Sequence, residues 1–257
     1  MSNPVELVVP PLFNGPPTSA NGGWISGALA QHVAGSGSSS SDASSGDAPA
    51  VVVTLRQPPP LDRPMAVVPT PDGVAGAVRL LDGELLVAEA APARLAGLGT
   101  PPPVPFDVAE AAEAGFRGHK HHPFPTCFVC GTGRGDREGL HLFSGPVSDE
   151  PGALHACTWT PSATLADPGA STVRPEFVWA ALDCPGAWTV DLETREVVLG
   201  RITARVDGAP APGEACVITS RLISQDGRKF TTCTALYGST GRLLGEAESV
   251  WIELRRA

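Results

Sequence analysis

The chain has 257 residues, enough for two modules of about 130 residues or one larger domain. Hydrophobic content of 42% is ordinary for a globular protein, while aromatics are scarce at 5% and Ala, Gly and Pro are abundant. A net charge of −9 with no dense basic run argues against nucleic acid or anionic membrane as partners, because both need clustered Lys and Arg.

The N-terminus, MSNPVELVVPPLF, has neither a basic n-region nor an adequate apolar core, so it does not read as a signal peptide. No apolar run approaches the roughly 18 residues of a membrane span. TSANGGWISGALA (18–30) predicts an amphipathic helix over about 22–34. Gly22 and Gly23 at its start are poor helix residues, yet they let another group approach the unpaired N–H donors of the first turn. A Ser-rich stretch at 35–50 is too polar to pack and predicts a disordered loop. Strands are expected at 51–57, 64–68, 76–81 and 84–93, with Asp82-Gly83 marking a hairpin. Proline-rich sequence around 100–106 and a short Ala/Glu helix pattern form a linker up to residue 126.

The second half repeats this order. Strands are expected at 139–143 and 154–159, a helix at 175–188 ended by Cys184-Pro185-Gly186, then strands at 197–206, 215–224, 229–237 and 243–254. DGELLVAEA (82–90) parallels TGRLLGEAE (240–248), and LRQPPPLDRPMAVV (55–68) parallels ARVDGAPAPGEACVI (204–218). The helices starting near Asn21 and Arg174 form a third pair, and all three pairs are offset by about 150–158 residues. The chain therefore reads as a tandem duplication: residues 1–99 and 127–257 are the two modules, joined by the linker 100–126. Each module is one helix followed by an antiparallel sheet, an α+β architecture.

Three stretches carry a family resemblance. CFVCGTGRGDREGLHLF (127–143) resembles the "CFxCG…GLxLxF" opening of single-hotdog thioesterases of the phenylacetate-pathway type. VWAALDCPGAW (178–188) is similar to their central, acid-bearing helix, and Asn21-Gly22-Gly23 resembles the "HGG" that starts it. The chain thus resembles the double-hotdog acyl-CoA thioesterases, in which a curved antiparallel sheet wraps a central helix in each half. In the family motif the acid follows the first motif residue by about nine positions. Nine from Asn21 is Ala30, so helix one keeps the glycines and lacks the acid. Nine back from Asp183 is Arg174, followed by Pro175 and Glu176, so helix two keeps the acid and lacks the glycines.

The resemblance implies one composite site, Asn21, Gly22 and Gly23 from half one with Asp183 from half two. Glu176 facing Ala30 and Gln31 would be its degenerate mirror. Backbone N–H groups and the helix dipole would stabilise the oxyanion of a cleaving thioester. Asp183 would act as general base on water or as nucleophile, and Asn21 would cap the helix or donate a hydrogen bond. Trp24 and Trp179 are candidate walls of an acyl tunnel. Arg201, Arg205 and Arg228, with Lys229, are candidate cations for coenzyme A phosphates. No cofactor is implied beyond coenzyme A as part of the substrate, an acyl-CoA or acyl-carrier thioester. The larger two-hotdog enzymes also use a Gln and a Thr. Their Gln would fall near Ser249, where none stands, and Thr203 is a candidate for their Thr. That departure keeps a non-catalytic acyl-CoA or acyl-carrier binding module as the alternative. A fused pair of this kind can also assemble into homo-oligomers through its sheet edges.

The CxxC of Cys127 and Cys130, with His119, His121, His122 and His141 nearby, offers zinc ligands on paper. Without a second CxxC the expectation is a structural knuckle of reduced thiols and no metal. All six cysteines lie between 127 and 233, a pattern expected of a cytoplasmic protein. HPFP (122–125) faintly echoes hotdog dehydratases, which would need a histidine near Asp183, and the helix offers none.

Overall fold

The computed structural model describes residues 5–34, 49–71, 74–135 and 138–255. The Ser-rich segment read as a loop at 35–50 lies outside the described residues as far as residue 48.

In the first half, β1 (Val5–Leu7) leads to helix α1 (Gly22–Ala30), then β2 (Ala50–Leu55), β3 (Met65–Pro69), β4 (Val78–Asp82) and β5 (Leu85–Ala93). A short helix α2 (Phe106–Ala112) and β6 (Gly145–Pro146) precede the second half. There β7 (His155–Trp159) leads to α3 (Pro175–Ala187), then β8 (Val197–Val206), β9 (Cys216–Asp226), β10 (Lys229–Tyr237) and β11 (Leu243–Glu253). These strands make one 11-stranded antiparallel sheet in the order β1-β3-β4-β5-β2-β8-β11-β10-β9-β7-β6. The order on either side of the β2–β8 pair is mirrored: β5, β4, β3, β1 answers β11, β10, β9, β7. The duplication legible in the sequence is thus a pseudo-two-fold in space. Val51–Thr54 pair with Ala204–Arg201 at its centre.

Turn chemistry sets the hairpins. Gly83 (φ +61°) turns β4 into β5, and Gly227 (φ +55°) turns β9 into β10. Both angles lie in the left-handed region that glycine enters without a Cβ clash.

The two long helices pack against each other inside the curved sheet. α1 is shorter than the 22–34 expected and is not amphipathic, since every residue from Gly23 to Ala30 is buried. Enclosure between sheet and α3 explains a helix with no charged face. Gly23 and Gly27, one turn apart, are the contact points. A Cβ on Gly23 would lie 2.4 Å from Asp183 Cβ, and one on Gly27 would lie 2.7 Å from Glu176 Cα. α3 runs through Pro185 to Ala187 rather than stopping at Cys184. Ser220 Oγ donates to the Pro185 carbonyl (2.8 Å), and Trp188 N–H closes the last turn on Cys184 O (3.3 Å).

The strand expected at 139–143 does not form. His141 sits at φ +53°, outside the extended region. Leu140 and Leu142 instead donate singly to Phe128 and Val129 carbonyls, folding GLHLF onto the CFVC turn. Among the described residues, no helix is long and apolar enough to cross a membrane.

Candidate active site

Asn21 is the N-cap of α1. Its Oδ1 accepts the Trp24 N–H at 2.9 Å, the bond that favours Asn at this position. Its Nδ2 is therefore free to point across the helix interface, where it donates to Asp183 Oδ2 at 3.1 Å. The Gly23 N–H donates to the same oxygen at 2.9 Å. One orphan backbone donor of the helix start and the side-chain amide of its N-cap thus hold a carboxylate from the other helix, 160 residues beyond Gly23 along the chain. Gly23 has to be glycine for Asp183 to come this close. Ile25 N–H bonds back to Asn21 O, which leaves the Gly22 N–H without an acceptor among the described residues.

Asp183 is only 1% exposed, and its Oδ1 has no hydrogen-bond partner. It lies in the second half of α3, where the helix dipole opposes a negative charge. Burial pushes its pKa up to about 7, against the downward pull of the bonds from Gly23 and Asn21.

Asn21, Gly22 and Asp183 line a cavity of about 450 Å³. Its walls are mostly apolar, with Phe124, Trp188, Leu192, Leu199 and Trp251 among them. This is the size and character of a small-molecule site.

The other predicted binding residues are placed elsewhere. Trp24 stacks on Phe13 (4.7 Å between ring centroids), and Trp179 packs on Gly27, so both are core rather than cavity wall. Arg201 donates to Thr54 Oγ1 on the neighbouring strand (3.2 Å). Arg205 is buried in ion pairs with Glu246 and Asp207, and Arg228 donates to the Glu253 carbonyl. None of the three lines the cavity, nor do Lys229, Thr203 and Ser249. The cation on the cavity wall is Arg56, exposed and paired with Glu89 at 2.8 Å. It stands at the end of β2 before three prolines, a position with no sequence signal of its own.

His122, weighed in the sequence only as a zinc ligand and in the HPFP echo, lines the same cavity. The Phe124 N–H donates to its Nδ1 (3.0 Å), so Nε2 carries the proton and donates to Cys130 O (3.0 Å). Both ring nitrogens are engaged by backbone, and burial lowers the pKa. The ring is a fixed neutral wall, unlike the proton-shuttling histidine of a dehydratase.

At the pseudo-equivalent position, Gln31 Nε2 donates to Glu176 Oε2 (3.2 Å), and Arg174 Nε lies 3.2 Å from Glu176 Oε1.

No protein-family model matches the sequence, and no curated protein does. Solved structures match the fold over nearly the whole chain. A tesB protein of Mycobacterium avium subspecies paratuberculosis superposes with a TM-score of 0.61 at 14% identity, covering 97% of this chain and 92% of its own. A hot dog fold protein of Alicyclobacillus acidocaldarius gives 0.57 at 12% identity, covering 98% and 93%. The acyl-CoA thioesterase II TesB2 of Mycobacterium marinum gives 0.51 at 11% identity, covering 81% and 80%. At these identities the likeness establishes the fold: a double hotdog.

Proposed function

We propose that the chain is an acyl-CoA thioesterase-like hydrolase with one composite site, in which Asp183 is the catalytic carboxylate. The observation that carries this reading is a buried carboxylate held by the donors of a facing helix start, on the wall of an apolar cavity. Solved proteins of this fold named as thioesterases or putative thioesterases support the reaction class.

In this reading the acyl group lies against the apolar wall and the thioester carbonyl oxygen takes the unclaimed Gly22 N–H. That donor, at the positive end of α1, stabilises the oxyanion as charge develops. Gly23 and Asn21 have a different task, which is to orient Asp183. Asp183 takes a proton from the attacking water, oxygen–carbon bond formation follows, and the carbon–sulfur bond breaks. The departing thiolate takes the proton back as free thiol. Arg56, on the cavity wall, is the cation this reading assigns to a phosphate of the leaving group. The six reduced thiols fit a cytoplasmic setting.

Free-thiol release from acyl-CoAs of short, long and aromatic acyl groups tests the proposal. Wild-type release should fall at least about 100-fold in Asp183→Asn, about 2.7 kcal/mol of barrier. Equal rates in the two proteins would remove Asp183 from the chemistry. Acyl-CoA binding without release on any substrate would make the protein a binding module, the reading that the absence of a Gln near Ser249 favours.

A further inference from the structure

Three thiols converge beside Asp183. The Sγ atoms of Cys127, Cys130 and Cys184 all lie within 4.8 Å of one another, with 3.7 Å between Cys127 and Cys184. All three are buried, and all three line the cavity. Cys184 comes from α3, 57 residues beyond Cys127, so the CxxC gains its third sulfur only through folding. Cys157, Cys216 and Cys233 belong to no such group among the described residues.

Hydrogen-bond donors face two of the three sulfurs. The backbone N–H groups of Val129 and Cys130 are aimed at Cys127 Sγ. Gly131 permits this tight turn, because a Cβ there would lie 2.5 Å from the carbonyl oxygens of Cys127 and Pro125. Asn21 Nδ2 lies 3.5 Å from Cys184 Sγ and 3.9 Å from Cys127 Sγ. A carboxylate stands beside the three sulfurs: Asp183 Oδ2 is 3.9 Å from Cys184 Sγ, and Oδ1 has no partner although it is buried. Tetrahedral zinc with Zn–S of about 2.3 Å and Zn–O of about 2.0 Å needs S···S edges of about 3.8 Å and S···O edges of about 3.5 Å. The 3.7 Å between Cys127 and Cys184 Sγ is already such an edge and the other two S···S separations are within 4.8 Å, while Asp183, beside Cys184, has to draw in toward the other sulfurs to supply the fourth ligand. No histidine belongs to the group among the described residues; His122 Nε2 is bonded to Cys130 O and His141 Nε2 to Gly135 O.

We propose that Cys127, Cys130, Cys184 and Asp183 form a binding site for one zinc-class divalent ion, held by three thiolates and one carboxylate. Three metal–sulfur bonds and one metal–oxygen bond form, and the thiol protons, with the carboxyl proton where Asp183 carries one, leave to solvent. Bound there, the ion occupies the carboxylate that hydrolysis requires, so the loaded protein is the inactive form. Only this last consequence rests on the thioesterase reading.

The test is a titration of fully reduced, metal-free full-length protein with Co²⁺ in the absence of substrate. A free-thiol count confirms reduction at the start. The expected result is a thiolate-to-cobalt charge-transfer absorption that saturates at one ion per chain and is displaced by Zn²⁺. Cys184→Ser should weaken binding at least about 100-fold, and Cys157→Ser should leave it unchanged. If Cys184→Ser fails to fold, Cys130→Ser carries the same expectation. No charge-transfer band on the reduced wild type, or a band of unchanged affinity in a folded Cys184→Ser or Cys130→Ser variant, overturns the site. Because absorption is read without turnover, a failed titration leaves the hydrolysis assay standing, and the reverse also holds.

Discussion

The two ends of the helix pair differ in where the acid sits. A shift of 153 residues takes Asn21 to Arg174, Gly23 to Glu176 and Ala30 to Asp183. At one end the acid, Asp183, lies late in its own helix and is held by donors from the start of the other helix. At the mirror end the acid, Glu176, lies in the first turn of its own helix, where the dipole favours it, and is paired with Arg174 and Gln31. The mirror carboxylate is placed where an ordinary helix would want one. Asp183 is placed where burial and its own helix both oppose its charge, and it faces a cavity. Once duplication removed the symmetry requirement, one end could become structural while the other kept the costly arrangement.

That contrast predicts a pH signature for Asp183 in the metal-free protein. Its folded pKa of about 7 is above the ordinary 3.8, so between these values the folded chain holds a proton that the unfolded chain has lost. Stability contributed by this group is therefore full below about pH 3.8, falls as pH rises through that window, and levels off above about 7. The total is on the order of 4 kcal/mol. Denaturant unfolding at pH 5 and pH 8 should show the loss in wild type and not in Asp183→Asn. The same pH dependence in both proteins would mean that burial does not hold the proton on Asp183.

The helix contact offers a second comparison. Gly23→Ala and Gly27→Ala both force a methyl group into α3, at a cost of about 3 kcal/mol each. Thermal unfolding should show a fall of about 6–12 °C in each. Only Gly23→Ala also displaces Asp183, so its remaining folded fraction should be the less active of the two. Equal specific activities would separate the helix spacing from the carboxylate's position.

In thioester cleavage, the at least 100-fold loss expected of Asp183→Asn should have no counterpart in Glu176→Gln, which should stay within about twofold of wild type. A comparable loss in Glu176→Gln would show that the duplication kept two working sites. The smallest effect belongs to Arg174→Ala. Its side chain is 36% exposed, and solvent screening limits the pair with Glu176 to under about 1 kcal/mol. A melting shift larger than about 3 °C would show the mirror cluster to be a structural anchor.

Much of this was readable in the chain. The Asp-Gly turn at 82–83, the Leu-Leu-x-Glu/Ala echoes and the paired helices gave the duplication, because turns and apolar periodicity are local properties. The complementary loss of glycines and acid between helix one and helix two likewise identified Asn21, Gly22, Gly23 and Asp183 as partners, and the structure brings them together. GLHLF was misread as a strand because its composition hides the left-handed His141. Trp24 and Trp179 were misplaced because an aromatic in a buried helix carries the same pattern whether it meets a cavity or a neighbouring ring. The arginines of β8 and the hairpin at 226–229 lie away from the cavity because which face a strand cation occupies, and which acid it meets, depends on sheet order.

The sequence by itself determined the duplicated hotdog halves and the asymmetry between them, since both are recorded in residue types at fixed spacing along the chain. Only the tertiary structure decided that Gly23 orients the acid while Gly22 is left unclaimed. It alone brought Arg56 and His122 to the cavity and Cys184 to the CxxC turn. Those outcomes rest on contacts between segments 57 or more residues apart, and such distances are set by how the two helices and the shared sheet pack, not by local propensity.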